Sequence, residues 1–266
     1  MRALKGLVLA CHLGPTVAVT ALVTAVAWSA GRSPAGCLLV AATILTGHLS
    51  IGWSNDAIDA ARDTIVNRKD KPVVRGLVSR RTLAIAAGLM LVVTIPVSLA
   101  NGIAAGLVHL LFVACAWGYN LGLKSTVISW LPYAVAFGGL PSFVTLGTTH
   151  TWAPWWATTA TALLGVGAHL ANVVPDLQDD LATGVRGWPQ RLGANARLLA
   201  PLPLAAATAP LVIAPAGPLG VIGWIALAVV AGLLVVIVAW KEAPFLVTIA
   251  IAGVSVVALI FRGDAL

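Results

Sequence analysis

Asn55-Asp56-Ala57-Ile58-Asp59-Ala60-Ala61-Arg62-Asp63 follows an apolar stretch, residues 35–54, that contains no Asp, Glu, Lys or Arg. Such a stretch has the length of a membrane-crossing helix, about 20 residues. It ends abruptly in acid. The rest of the chain has the same character: 59% of its 266 residues are hydrophobic and only 9% are charged, where an average soluble domain carries roughly 25% charged residues. So few charges cannot cover a globule in water. A soluble enzyme, a nucleic-acid-binding module and a disordered chain are excluded on this ground. What remains is an all-α, polytopic membrane protein.

Nine apolar stretches are predicted to span, near 8–30, 35–54, 82–100, 103–119, 126–147, 152–174, 197–214, 217–240 and 244–261. The first follows Arg2 and Lys5 but lacks a small-residue cleavage site, so it is read as a helix and not as a leader. With the N-terminus inside, fourteen of the sixteen basic residues fall on that side and only Arg32 and Arg262 fall outside. This asymmetry accounts for the net charge of +7 through membrane topology, with no need for nucleic acid. The expectation is one domain over 1–266, a bundle whose charged connections face the cytoplasm. Cys11, Cys37 and Cys115 sit in apolar runs without metal-ligand spacing, and are read as small apolar residues. Trp53, Trp117, Trp130, Trp188 and Trp240 fall near predicted span ends, as interfacial aromatics do.

Seven of the nine acids lie in two short stretches on the same predicted side: Asp56, Asp59, Asp63 and Asp70, then Asp176, Asp179 and Asp180. Each stretch contains Asn-x3-Asp-x3-Asp, at Asn55-Asp59-Asp63 and at Asn172-Asp176-Asp180. A Pro follows each Asn by 17 residues (Pro72, Pro189) and a Gly by 21 (Gly76, Gly193). This is a weak internal repeat, of the kind that places a site between two halves. On a helix the first three residues lie at about 0°, 40° and 80°, in one quadrant; Pro175 is expected to kink the second copy. Like charges on one face repel, and near a membrane they are costly to desolvate. One reading is a solvated loop in which the acids pair with Arg62, Arg68 and Lys71. The other is a Mg²⁺–diphosphate clamp, because Mg²⁺ takes one or two carboxylates and completes its shell with phosphate oxygens. Two matching acid clusters in so acid-poor a chain favour the clamp.

These residues resemble the signature of the UbiA-type intramembrane prenyltransferases, which carry Asn-Asp-x-x-Asp-x-x-x-Asp after the second span and Asp-x-x-x-Asp after the sixth. Asn55–Asp63 matches the first motif, and Asp176–Asp180 the second, with Asn172 one turn earlier. Asn67-Arg68-Lys69-Asp70-Lys71-Pro72 resembles the family's basic loop, Tyr119-Asn120-Leu121-Gly122-Leu123-Lys124 its Tyr…Lys element, and Arg191-Leu192-Gly193 the segment before the seventh span. Departures are Gly14 before Pro15 where many members have Arg, the extra Asp179, and His12 where a charged group is expected. The resemblance implies a nine-helix bundle around a central cavity. It implies Mg²⁺-dependent transfer of an isoprenyl group from a polyprenyl diphosphate to an aromatic or other lipophilic acceptor, with release of pyrophosphate. Asp56, Asp59, Asp63, Asp176 and Asp180 become the catalytic acids. Mg²⁺ falls to Asn55, Asp59, Asp63, Asp176 and Asp180. The substrate falls to Asn55, Arg68, Lys71, Tyr119, Lys124 and Asn172.

Three other activities fit less well or are left open. A UbiA-type terpene cyclase ionises the same diphosphate and stays open. A transporter would place acids in mid-span, whereas here they are expected at span ends. A CDP-alcohol phosphotransferase would carry an Asp-Gly…Ala-Arg…Gly run that is absent. His48, His109 and His169 lie within predicted spans and are read as packed core residues; the other reading is that His48 and His169, which precede a motif Asn by seven and three residues, help deprotonate an acceptor. The Ala-, Val- and Gly-rich composition points to a bacterial cell membrane.

Overall fold

The computed structural model describes residues 2–214, 221–239, 244–261 and 265–266. Trp240, Lys241, Glu242, Arg262 and Asp264, which entered the reading of topology, lie outside the described residues. The described chain is helical throughout, in the order α1 (Arg2–Ala10), α2 (Leu13–Ser29), α3 (Pro34–Ile65), α4 (Arg80–Leu99), α5 (Ile103–Leu121), α6 (Leu131–Thr148), α7 (Trp155–Val173), α8 (Leu177–Ala182), α9 (Trp188–Leu192), α10 (Asn195–Leu199), α11 (Pro201–Ile213), α12 (Val221–Ala239) and α13 (Pro244–Ile260). Each predicted apolar stretch contains one long helix or, for the first, a bent pair. Among the described residues, five helices are long and apolar enough to cross a membrane alone, and six if α1 and α2 count as one span.

Two starts show local sequence at work. Ser33 caps α3 by accepting the Gly36 N–H at 3.2 Å, with Pro34 in the first turn where its missing N–H costs nothing. Ser79 caps α4 by accepting the Thr82 N–H at 3.0 Å.

Two boundaries differ from expectation and a third meets it. The second stretch does not stop at 54: α3 runs 32 residues to Ile65. The first acid motif is therefore helical and not part of a connection. A span count stops at the first charge, but a helix stops only when its backbone hydrogen bonds find a better use. The first span is broken at His12, which adopts φ 53 and ψ 58, so that α1 and α2 meet at 58°. The second acid motif is broken at Pro175, as expected: α7 ends at Val173, a 3₁₀ turn covers Val174–Asp176, and α8 carries Asp179 and Asp180.

Adjacent helices pack in sequence order: α2 on α3, α3 on α4, α4 on α5, α5 on α6, α6 on α7. Then α7 packs on α11, α11 on α13, and α13 returns to α2. The ring buries an apolar centre around Val40, Ile44, Phe143, Val144, Trp156 and Leu211. Gly76 (φ 64) and Gly193 (φ 58), matched in the internal repeat, both take positive φ, which costs glycine little.

Candidate active site

A cavity of 440 Å³ opens at the end of the bundle where α3, α5 and α7 finish. Helix α3 faces it with one stripe, His48, Gly52, Asn55, Asp59 and Arg62, stepping by four and three residues as one helical face does. Val19, Ile51, Phe112, Ala116, Ala136 and Phe137 line its apolar part. At the polar end stand Asn55, Asp59, Arg68, Lys71, Tyr119, Lys124, Asn172, Asp176 and Asp180, nine of the eleven residues assigned from sequence. The other two, Asp56 and Asp63, are 1% exposed and sit behind the lining.

The two acid motifs are joined by arginines. Arg62 donates to Asp59 Oδ2 at 2.9 Å, lies 3.9 Å from Asp63 Oδ1, and reaches Asp180 Oδ1 at 3.3 Å. Arg68 forks onto Asp70 at 2.8 and 3.0 Å and extends Nη1 to Asp176 Oδ2 at 3.0 Å. That double engagement holds the Arg68 guanidinium's pKa above its usual value and the Asp70 carboxyl's below its own. Asp180 also accepts from Gln190 Nε2 at 2.8 Å. Lys124, on the 3₁₀ turn after α5, donates to Asp59 Oδ1; burial pushes its pKa below the usual value of 10.5, against the pull of Asp59. Lys71 donates to Asp56 Oδ1 at 2.7 Å, and His12 lies 3.1 Å from the same oxygen. The pairing with Arg62, Arg68 and Lys71 is thus present, but in a cavity wall and not in a solvated loop.

Amides and aromatics complete the wall. Asn55 Nδ2 is shared between Asp59 Oδ2 and Asn120 Oδ1, each at 3.2 Å, and Asn120 donates to Ser54 Oγ at 2.9 Å. Tyr119 stands edge-on to Tyr133 at 5.2 Å between ring centres, and Asn172 donates to the Tyr133 hydroxyl at 3.3 Å. Asn120, Tyr133 and Gln190 were not singled out from sequence. A lone amide at the end of an apolar run was the available signal for Asn120.

The donor set suits a hard divalent cation. At this end six carboxylates, Asp56, Asp59, Asp63, Asp70, Asp176 and Asp180, face four permanent cations, Arg62, Arg68, Lys71 and Lys124. Asp56 Oδ2 and Asp63 Oδ2 are buried without a hydrogen-bond partner. Among the described residues, no three acidic, His or Cys side chains gather closely enough to hold a metal by themselves. Such an arrangement fits an ion that needs phosphate oxygens to complete its shell.

The helical bundle thus holds an apolar pocket closed at one end by acids, arginines and lysines. The chain belongs to the UbiA prenyltransferase family, whose model matches residues 16–259, and it is a multi-pass membrane protein. No curated protein sequence matches it. Its fold is similar to that of a structure concerned with digeranylgeranylglyceryl phosphate synthase, at TM-score 0.72 and 16% identity over 100% of both chains. A UbiA homolog from Archaeoglobus fulgidus bound to GPP and Mg²⁺ gives TM-score 0.71 and 16% identity over 100% of this chain and 99% of that one. The apo UbiA homolog from Aeropyrum pernix K1 gives 0.72 and 19% over 95% and 98%. At these identities the likeness establishes the fold.

Proposed function

We propose that this single-domain protein transfers an isoprenyl group from a polyprenyl diphosphate to an aromatic or other lipophilic acceptor, and releases pyrophosphate. The observation that carries the reading is the meeting of both acid motifs at the polar end of one apolar cavity, bridged by Arg62 and Arg68. The isoprenyl chain takes the apolar lining, which excludes water. Lys124, Arg68 and Lys71 bind the diphosphate, with Asn55 and Asn172 as amide donors. Asn55, Asp59, Asp63, Asp176 and Asp180 would hold Mg²⁺, which would supply positive charge where the leaving diphosphate gathers negative charge. Asp56 acts from behind by holding Lys71 in place. The Tyr119 ring faces the allylic end, where a π face stabilises positive charge. The basic residues gathered beside the acids support a cytoplasmic orientation of this end by the positive-inside rule, in a bacterial inner membrane.

The test is pyrophosphate release and product mass spectrometry with geranyl diphosphate and Mg²⁺, with and without lipophilic hydroxyl compounds. Prenylated acceptor supports the reading. A cyclic hydrocarbon formed without acceptor identifies a cyclase, and absence of pyrophosphate removes both.

A further inference from the structure

The three histidines His48, His109 and His169 differ in what their ring nitrogens meet. His109 and His169 are 1% and 0% exposed. His109 Nδ1 lies 2.8 Å from Ser98 Oγ, and His169 Nε2 lies 3.1 Å from Ser129 Oγ. Neither lines the cavity; they tie helices together. His48 does line it.

His48 Nδ1 lies 3.0 Å from the Ile44 carbonyl oxygen. A carbonyl only accepts, so Nδ1 carries the proton and Nε2 is left with a lone pair. Nε2 has no partner among the described residues and is not among the sealed-in atoms, so its lone pair opens on the cavity. Val19, Ile51, Ala136 and Phe137 line the cavity's apolar part beside it, and the Phe112 ring lies 5.5 Å from the imidazole. The next titratable ring, His109, packs against the same Phe112 ring at 5.4 Å. His12, Asp59, Tyr119, Lys124 and Tyr133 line the same cavity. Along α3, seven residues separate His48 from Asn55, about 10 Å at 1.5 Å per residue.

We infer that His48 is the general base of the transfer and that the acceptor is a lipophilic molecule bearing a hydroxyl, bound in the apolar part of the cavity with that hydroxyl on Nε2. The inference rests on the prenyl-transfer reading and names its acceptor class. The bond between the allylic carbon and the diphosphate oxygen breaks, and its electron pair leaves with pyrophosphate. The acceptor supplies the pair for the new bond to that carbon. Its hydroxyl proton passes to His48 Nε2, so the acceptor attacks without accumulating positive charge.

The experiment compares wild type with His48→Gln and His48→Ala, using geranyl diphosphate and Mg²⁺. The acceptor probes are naphthol, dodecanol and, as a control without a hydroxyl, methoxynaphthalene. Gln keeps an accepting oxygen but takes no proton. Expected for His48→Gln is a loss of hydroxyl prenylation on the order of 10²-fold in kcat, with donor KM and acceptor-free pyrophosphate release unchanged. Wild-type transfer should fall at acid pH, where the base is protonated. The variant should lose that dependence, and added imidazole should restore His48→Ala. Undiminished transfer by His48→Gln overturns the inference and leaves the transferase reading standing. So does equal loss of transfer and acceptor-free pyrophosphate release, or equal prenylation of naphthol and methoxynaphthalene. A wild type that releases pyrophosphate but prenylates no hydroxyl probe overturns both.

Discussion

Arg62 Nη1 lies 3.3 Å from Asp180 Oδ1, so a side chain of the first motif holds a carboxylate of the second. The halves of the bundle are thereby joined at the site by a guanidinium that also serves Asp59. Arg62→Gln should lower the stability of the metal-free protein by up to about 3 kcal/mol, the low end for breaking a buried pair, because Arg62 is partly exposed. Added Mg²⁺ should then raise the Tm of the variant more than that of wild type, since it replaces the lost positive charge. Thermal unfolding in detergent with chelator, then with Mg²⁺, reads both effects.

Like-charge repulsion alone says that removing one acid from a cluster is harmless to the fold. The structure separates two cases. Asp59 is buried between Lys124 and Arg62, so Asp59→Ala strands a buried cation and should cost roughly 3–5 kcal/mol. The Asp176 side chain is 38% exposed and meets only Arg68, so Asp176→Ala should stay within about 1 kcal/mol. Both should abolish turnover. Melting curves beside activity check this, and an Asp59→Ala that melts like wild type would show that Lys124 does not depend on it.

Lys124→Ala should weaken donor use about 10- to 150-fold, the value of a charge-assisted contact of roughly 1.5–3 kcal/mol, and leave acceptor KM unchanged. Burial lowers the pKa of this amine below 10.5. The charged form that binds diphosphate is complete at neutral pH and is lost as pH rises through the lowered value. Donor affinity should therefore fall on the alkaline side earlier than for an ordinary lysine. Lys124→Arg, which stays charged, should remove that limb. Donor titrations across pH measure it.

A Cβ at Gly187 would lie 2.2 Å from the Lys124 carbonyl oxygen. The loop before α9 touches the Lys124 turn backbone to backbone, and Trp188 N donates to Ser129 Oγ at 3.0 Å across the same seam. Gly187→Ala should destabilise by about 1–3 kcal/mol through overpacking. It should also impair donor use, although no site atom is removed. A variant with normal donor KM would mean that the Lys124 turn is positioned without this contact.

The sequence made the apolar segments legible, because burial in lipid demands long uncharged runs. It also revealed the acids, because charge is rare in this chain. The break at Pro175 followed from backbone chemistry alone. Arg62 was harder to read. With α3 ended at 54 it counts as a loop charge; with α3 continued to Ile65 it joins the stripe of His48, Asn55 and Asp59. Asn120, Tyr133 and Gln190 act through partners far away in sequence, and no local pattern announces them. His48 was legible only as one of two histidines that precede a motif Asn; what separates it from His169 is that it lines the cavity.

Helix α3 is longer than a membrane is thick. Its 32 residues extend about 48 Å at 1.5 Å per residue, against a hydrocarbon core of about 30 Å. Acting as a rigid ruler, it carries its last turns to the headgroup level while its earlier turns stay among acyl chains. A prenyl diphosphate is an amphiphile with its own border between oil and water, and the bilayer already holds that border at one depth. On the proposed prenyl-transfer reading, the helix would set the reacting bond at the same depth, so that the donor would enter sideways without lifting its tail into water or dragging its phosphates into oil, and pyrophosphate would depart into the aqueous phase.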